Sequence, residues 1–229
     1  MIGIIVTTFN RPEALLRSLP QICALGAPVL VVDDGSPAKW TDELVRCAIA
    51  DYLYVPHNRG LAAALNIGLS YWLADKSVDW ISYFQDDVDV YPGALNILSR
   101  LHGKAPLLTG HDAGEHNAIS AETIDGIPVK RKLYIRATHM HASAEFWRSV
   151  CPIPTFELGA PKHKGTGRGV GSNVDWWIVR DAPRSTKNIG KDILCVPGLV
   201  RSFLWKGEDS CWGNTARAGA EPPLKQWAS

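Results

Sequence analysis

The stretch Ile2–Arg11 has the sequence IGIIVTTFNR, an apolar run that turns polar at Thr7. A short β-branched run is typical of a buried strand in a parallel sheet, and the polar residues mark its end. Pro12 follows in the first turn of a predicted helix, where a missing N–H costs nothing. This strand–helix unit predicts an α/β fold.

The same alternation extends through the first hundred residues and predicts an open, twisted, mostly parallel sheet flanked by helices in a single domain, residues 1–229. Beyond residue 110 the regular alternation ends, and a hairpin is expected to turn at Asp125-Gly126. The predicted strands are 2–8, 29–32, 52–55, 78–84, 106–109 and 193–196, and the predicted helices are 11–24, 40–50, 60–73, 92–101, 144–150 and 173–180.

The composition is that of an ordinary globular protein, with 46% hydrophobic and 21% charged residues. The net charge of +1 provides no overall field for nucleic acid or an acidic membrane. The five cysteines are scattered without a C-x-x-C pair, and no signal or membrane segment is evident. These features predict reduced thiols and a cytoplasmic protein.

Three polar clusters follow predicted strands: the first is Thr7, Thr8, Phe9 and Asn10, and the others are Asp33-Asp34 and Asp86-Asp87. Ligands of open α/β sheets bind at the carboxyl ends of the strands, so these clusters are expected to converge there. The alternative for Asp33-Asp34 is a simple turn, because the Gly and Ser that follow favour turns.

Asp86, Asp87 and Asp89 place three carboxylates within four residues. Their mutual repulsion calls for a cation, and hard oxygen ligands favour Mg²⁺ or Mn²⁺. Such a metal neutralises charge on substrate phosphates. The glycine-rich run 165–171 follows a loop instead of a strand, so we interpret it as a flexible loop and not as a phosphate-binding motif.

Four blocks of sequence together resemble family 2 glycosyltransferases of the GT-A fold, in residue type, order and spacing. The resemblance covers about residues 2–100. The blocks are IIVTTFNRP at 4–12, VVDDGS at 31–36, NRGLAAALNIG at 58–68 and FQDDV at 84–88 with Pro92 beyond it.

The resemblance implies a Rossmann-like GT-A sheet and an inverting transfer of sugar from a nucleotide-diphosphate sugar to a saccharide or other hydroxyl acceptor. It implies that Asp86 lies near the ribose or sugar, and that Asp87, with Asp89 close by, binds the metal. Gln85 stands where many relatives have a third Asp. The residues implied to hold the nucleotide sugar are Thr7, Thr8, Phe9, Asn10, Asp33, Asp34 and Arg59.

Family 2 enzymes use one carboxylate at a helix start as general base, and Asp175 matches that position. Three interpretations are open for Trp176 and Trp177 beside it: they exclude water and so raise the pKa of Asp175, they stack on a sugar face of the acceptor, or they are simply buried against the sheet. We expect removal of Asp175 to abolish most turnover while donor binding is retained.

The sequence departs from the family pattern near its end. Relatives often have a metal-binding His in the stretch that corresponds to 202–206, and this chain has none there. The third ligand of the expected Mn²⁺ or Mg²⁺ is therefore not identified. Lys206 is a candidate for neutralising the diphosphate directly.

His139 and His141 are predicted to share one face of a strand, as acceptor contacts, packing residues or metal ligands. Seven Lys/Arg against two Asp between 158 and 191 indicate a basic segment, either a solvated face or a lid over the diphosphate. We expect residues 1–110 to bind the nucleotide sugar and 111–229 to bind the acceptor. Two alternatives remain: a sugar nucleotidyltransferase, against which the absence of a Gly-rich, Arg-containing loop argues, and a non-catalytic binding module.

Overall fold

The computed structural model describes residues 1–37, 45–46, 50–112, 118–155 and 174–203. Within these ranges the chain forms ten strands in one mixed sheet, with helices beside it. The strands are β1 (Ile2–Thr8), β2 (Val29–Asp33), β3 (Asp51–Tyr54), β4 (Trp80–Gln85), β5 (Val88–Val90), β6 (Leu107–His111), β7 (Ser120–Ile124), β8 (Ile127–Lys132), β9 (His139–Ser143) and β10 (Ile193–Ser202).

Four helices of the described chain have regular α geometry over one turn or more, and a fifth is short. They are α1 (Pro12–Cys23), α2 (Leu61–Ala74), α3 (Ala94–Ser99), α4 (Ala144–Val150) and α5 (Val174–Trp176), which continues as a π-helix over Trp177–Asp181. Most of the predicted helix 40–50 lies outside the described residues.

The sheet has the order β3-β2-β1-β4-β9-β6-β10-β8-β7, and β5 pairs with β10 outside this path. The first four strands are mutually parallel, as the β–α alternation predicts. In the order of the sheet, antiparallel pairing begins at β9, which is antiparallel to both β4 and β6. The sheet is therefore mixed, and its fully parallel part is confined to the first half of the chain.

The hydrophobic core lies on both faces of the sheet. Ile5 belongs to one buried cluster, and its neighbours Ile4 and Val6 belong to the other, as expected when successive strand residues point to opposite faces. The cluster around Ile5 includes α2, which approaches so closely that a Cβ on Gly68 would lie 2.7 Å from Ile5 Cγ2. The other cluster includes the apolar face of α1.

The predicted hairpin is present, with a two-residue turn between β7 and β8. Asp125 and Gly126 both have positive φ angles, 50° and 78°, the conformation that such turns require. Residues 193–196 form the start of a longer strand than predicted, since β10 runs to Ser202. That extension brings the end of β10 beside β5 and the acidic residues around it.

None of the helices within the described ranges is long and apolar enough to cross a membrane.

Candidate active site

The acidic site is assembled where the parallel strands β1 and β4 end side by side. Thr7 lies opposite Gln85 in this pair, so Thr8, the last residue of β1, and Asp86, the first residue after β4, come side by side at this edge of the sheet. The Thr8 hydroxyl donates to Asp86 Oδ2 at 2.7 Å. The predicted convergence of these two strand ends is thus present in the structure.

Asp86 and Asp87 are both buried, with 0% and 7% of their surface exposed. Arg11, just before α1, lies against both: its Nη2 is 3.4 Å from Asp86 Oδ1 and its Nη1 is 3.3 Å from Asp87 Oδ2. Burial raises the pKa of Asp86 to about 6, although the positive charge of Arg11 opposes the shift. Oδ1 of each aspartate is buried and has no hydrogen-bond partner among the residues that the structure describes.

Asp87 is also held by the end of β10. The Ser202 hydroxyl donates to Asp87 Oδ2 at 3.3 Å, and the Phe203 N–H donates to the Asp87 carbonyl at 3.0 Å. This contact follows from the antiparallel pairing of Ser202 with Val88. A residue from the second half of the chain thereby reaches the acidic site of the first.

The metal role predicted for Asp89 is not supported by its surroundings. Arg17 Nε and Nη2 lie 2.9 and 2.6 Å from its two carboxylate oxygens, and Arg201 Nη2 lies 2.6 Å from one of them. Burial raises the pKa of Asp89, but the hydrogen bonds from Arg17 and Arg201 outweigh it and hold the pKa below its usual value. Asp89 is an ion-paired residue that joins α1 to β10.

Asp33 and Asp34 accept the hydrogen bonds that fix two loops, the one that follows β2 and the one that precedes α2. Asp33 accepts hydrogen bonds from the Ser36 N–H and hydroxyl, at 2.9 and 2.6 Å, and from the Tyr52 hydroxyl at 2.9 Å. The turn interpretation of this segment is therefore correct for Asp33. Contact of either aspartate with a nucleotide base stays a prediction.

Asp34 accepts from the backbone N–H groups of Arg59 and Gly60, at 2.9 and 2.7 Å, just before α2. Burial raises its pKa, and these two hydrogen bonds partly offset the shift. The loop after β2 packs directly against the loop before α2. A Cβ on Gly35, whose φ is +85°, would lie 2.6 Å from the Asn58 nitrogen. Asp34 thus fixes the backbone of Arg59, whose side chain is predicted to contact the donor.

The remaining residues after β1 differ in exposure. The Thr7 hydroxyl lies 3.0 Å from the hydroxyl of the fully buried Tyr83, so it faces the protein interior. Phe9 is 39% exposed, and the Asn10 N–H donates to the Ser36 hydroxyl at 2.8 Å. This last contact joins the β1 loop to the β2 loop, so the first two predicted clusters do meet.

Asp175 lies in the first turn of α5 and is partly buried. Trp177 is also partly buried, packs against the core cluster around Ile5 and donates from Nε1 to the Val150 carbonyl at 2.8 Å. Its packing interpretation is therefore supported over free stacking on an acceptor. The side chain of Trp176 and all of Lys206 lie outside the described residues, as does most of the basic segment.

The acceptor role predicted for His139 and His141 is wrong, because both are completely buried in β9. His139 Nδ1 accepts from the Gly110 N–H at 2.9 Å, and its Nε2 lies 3.2 Å from the Ser82 hydroxyl. His141 Nε2 lies 2.9 Å from His102 Nε2. Burial lowers the pKa of His139 to about 3 and that of His141 well below its ordinary value, so both are neutral core residues.

Two residues of the acidic site, Arg11 and Ser202, were not predicted from the sequence to contact the aspartates. Arg11 stands within the quoted block at 4–12, where it was interpreted only as part of the helix start. Ser202 begins the stretch in which a metal-binding His was expected. Ser202 is far from Asp87 in the sequence, so no sequence pattern indicates their contact. The contact depends on β10 extending as far as Ser202.

The residues present are compatible with a divalent cation at Asp86 and Asp87. The buried Oδ1 atoms, which accept no hydrogen bond from the described residues, are hard oxygen ligands of the kind that Mg²⁺ and Mn²⁺ prefer. The described residues contain no group of three or more His, Cys, Asp or Glu arranged to hold a metal. Any cation here is thus bound through few carboxylates, as is common for Mg²⁺ with phosphate ligands.

Fold and site together define an α/β protein with an acidic centre at the carboxyl ends of parallel strands. Residues 3–108 match the family described as Glycosyl transferase family 2. This range contains all four of the sequence blocks quoted above. The match agrees with the resemblance to family 2 glycosyltransferases over the first part of the chain.

A solved structure has a similar fold. S. aureus TarS 1–349, crystallised in complex with UDP-GlcNAc, superposes with a TM-score of 0.50 at 13% identity. The match covers 64% of this chain and 46% of the TarS chain, so the chain spans less than half of that relative. A197 from STIV matches with a TM-score of 0.47 and 9% identity over 88% of this chain and 85% of its own. No curated protein matches the sequence.

Proposed function

We propose that the protein is an inverting glycosyltransferase that transfers a sugar from a nucleotide-diphosphate sugar to a hydroxyl acceptor. The observation that carries this proposal is the buried Asp86–Asp87 pair at the carboxyl end of β4, within the segment that matches the family. Two carboxylates buried next to each other are costly unless a cation neutralises them. A site for a metal and a diphosphate explains why the fold maintains such a pair.

The leaving group of the proposed reaction is a nucleoside diphosphate, whose negative charge grows as the bond to the sugar breaks. Mg²⁺ or Mn²⁺, when bound, neutralises that charge. Asp87 is the proposed ligand, Asp86 lies beside it, and Ser202 orients Asp87 through the hydrogen bond at 3.3 Å. Arg11 contributes positive charge at the same site.

The nucleotide is proposed to lie over the loops that follow β1 and β2. Their polar contacts, from Asn10 to Ser36 and from Arg59 and Gly60 to Asp34, hold the backbone in place before a ligand arrives. Loops fixed in this way bind with a smaller loss of conformational entropy. Phe9 is exposed at this edge, where it offers an apolar face for the base.

The acceptor hydroxyl must lose a proton as it attacks the sugar. Asp175 is proposed to take that proton, as a general base at the start of α5. An inverting reaction requires this carboxylate on the side of the sugar opposite the diphosphate. Residues 111–229 are proposed to supply the acceptor site.

Release of the free nucleotide from a panel of donors tests the proposal: UDP, GDP or TDP from the corresponding sugars, and CMP from CMP-sugars, which lack a diphosphate and serve as the comparison. UDP-GlcNAc is the first donor to use, since TarS was crystallised with it. We expect one donor to be hydrolysed slowly in the absence of acceptor and to raise the melting temperature, because a ligand at 100 times its Kd stabilises a fold by about 2.7 kcal/mol.

The Asp87→Asn variant serves as the control for contaminating hydrolases, and it should release no nucleotide above background. Thermal stabilisation without release in the wild-type protein would identify a binding module instead. Formation of a nucleotide sugar from a nucleoside triphosphate and a sugar phosphate would identify a nucleotidyltransferase. Either result overturns the proposed transferase.

A further inference from the structure

The guanidinium of Arg11 lies against both carboxylates of the acidic site. One terminal nitrogen is near Asp86 Oδ1 and the other is near Asp87 Oδ2, at 3.4 and 3.3 Å. The Arg11 side chain is 21% exposed, whereas the side chains of Asp86 and Asp87, taken without their backbone atoms, are 0% and 10% exposed. Arg11 therefore enters the buried pair from the solvent side, the side from which a ligand must also arrive.

Arg11 contacts the pair more loosely than neighbouring arginines contact Asp89. Both Arg17 and Arg201 approach Asp89 to 2.6 Å, a normal distance for a charge-assisted hydrogen bond. The Arg11 contacts are 0.7 to 0.8 Å longer, as the distances of 3.3 and 3.4 Å show. All three residues are arginines that pair with aspartates next to or within β5. The difference in distance therefore reflects how each guanidinium is placed, since the residue types are the same.

The pair retains unused capacity for a cation. Within the described residues, the two carboxylates carry two negative charges and Arg11 supplies one positive charge at ion-pair distance. The other donors, Thr8 and Ser202, are neutral hydroxyls. Among the described residues, neither Asp86 Oδ1 nor Asp87 Oδ1 accepts a hydrogen bond, and Asp86 Oδ1 has only the ion pair with Arg11 at 3.4 Å.

We propose that Arg11 is a built-in counter-cation that competes with the divalent cation for the Asp86–Asp87 pair. Without a ligand, the guanidinium limits repulsion between the buried carboxylates. When a divalent cation binds, Arg11 is displaced, and its charge becomes available to the anionic diphosphate. The proposal rests on the proposed metal role of these aspartates, and it predicts weak metal binding by the protein without donor.

Binding of Mn²⁺, measured from the electron paramagnetic resonance signal of the free ion, tests the competition without donor or turnover. We expect Arg11→Gln to bind Mn²⁺ about tenfold or more tightly than the wild-type protein, because a competing charge has been removed. Arg17→Gln is the matched control: it removes the same charge from α1, the helix that follows Arg11, next to Asp89, and should change Mn²⁺ affinity less than about twofold.

Equal or weaker Mn²⁺ binding by Arg11→Gln overturns the proposal, as does equal tightening in both variants, which would reflect long-range charge alone. Should Arg11→Gln fail to fold, Arg11→Lys retains a charge but lacks the fork that spans two carboxylates. It is expected to bind Mn²⁺ about threefold more tightly than wild type, and unchanged affinity would contradict the competition. Because no donor is present, these results are independent of whether glycosyl transfer is found.

Discussion

The two halves of the sheet place polar side chains in different positions on their strands. In the first half, Thr8 and Asp86 come at or just beyond the ends of parallel strands, where they meet each other and Arg11. In the second half, His139 and His141 lie within β9, between two neighbouring strands, and are completely buried. Polar residues at a strand end form a site, while polar residues inside a central strand must be satisfied by the core.

The largest expected effect concerns Asp175, the one residue of the second half to which we assign chemistry. Asp175→Asn should lower turnover by about 10²–10⁴-fold, because the acceptor loses its general base. Affinity for the nucleoside diphosphate of the donor, measured by calorimetry, should remain within about twofold of wild type, because the proposed donor site lies at the ends of β1, β2 and β4. If this variant retains full turnover, the second half supplies no base.

Asp181→Asn is the matched control for that experiment. Asp181 is exposed at the end of the same helical segment and pairs with Arg180. Its loss should leave turnover unchanged, so that a defect in Asp175→Asn cannot be attributed to general disturbance of the helix.

A smaller effect separates the site from the ion pairs directly beside it. Asp87→Asn should lower kcat by about 10²–10³-fold, the usual consequence of removing one group that stabilises transition-state charge. Asp89→Asn should leave kcat within about threefold and instead lower the free energy of unfolding. Both are measured on purified protein, by nucleotide release and by urea denaturation.

The expected stability loss for Asp89→Asn is about 1–3 kcal/mol. It is below the cost of breaking a fully buried pair because the side chains of Arg17 and Arg201 are 51% and 35% exposed, and solvent screens them. A kcat that falls equally in both variants would return Asp89 to the metal site.

The smallest effect per residue is a pH dependence of stability with opposite signs in the two halves. Burial lowers the pKa of His111 to about 4, that of His139 to about 3 and that of His141 well below its ordinary value, so these residues stay neutral while the unfolded chain takes up protons below about 6.5. Stability present above pH 6.5 is lost as the pH falls, by up to about 1.4 kcal/mol per pH unit for each histidine.

Asp86 acts in the other direction. Its pKa is raised to about 6, so its charged form is unfavourable in the folded protein, and stability is regained as the pH falls through 6. Three histidines outweigh one aspartate, and we expect urea midpoints to fall between pH 7 and 5.5. The exposed His57, changed to Gln, should leave this slope intact. A flat profile in the wild-type protein would contradict the assignment of neutral buried histidines.

The first half of the fold was predictable because strand and helix alternate there with a clear hydrophobic pattern. β1, β2, β4 and α2 lie within two residues of their expected positions. The Asp86–Asp87 pair was also identified, since family motif and strand end coincide. The three-residue β5 was missed, because a strand of that length depends on its partner β10 and has no sequence pattern of its own.

The second half was less predictable for a physical reason. Alternation along a strand shows that His139 and His141 share a face, but the pattern is the same whether that face meets solvent or another layer. Trp80 and His102, which cover His141, come from distant parts of the chain. The pairing of Arg11 with Asp86 likewise depends on the rotamer of a long side chain, which spacing in sequence does not determine.

The length of β10 sets a lower limit on the piece of chain that can work alone. The family match ends at residue 108, yet Asp87 accepts hydrogen bonds from residues 202 and 203 as well as from Arg11, and Asp89 accepts one from 201. A fragment cut after β6 would contain every motif residue of the acidic site and lack the strand that holds it. Such a fragment is unsuitable for assays, for grafting onto another scaffold or for recombination with a relative at that boundary.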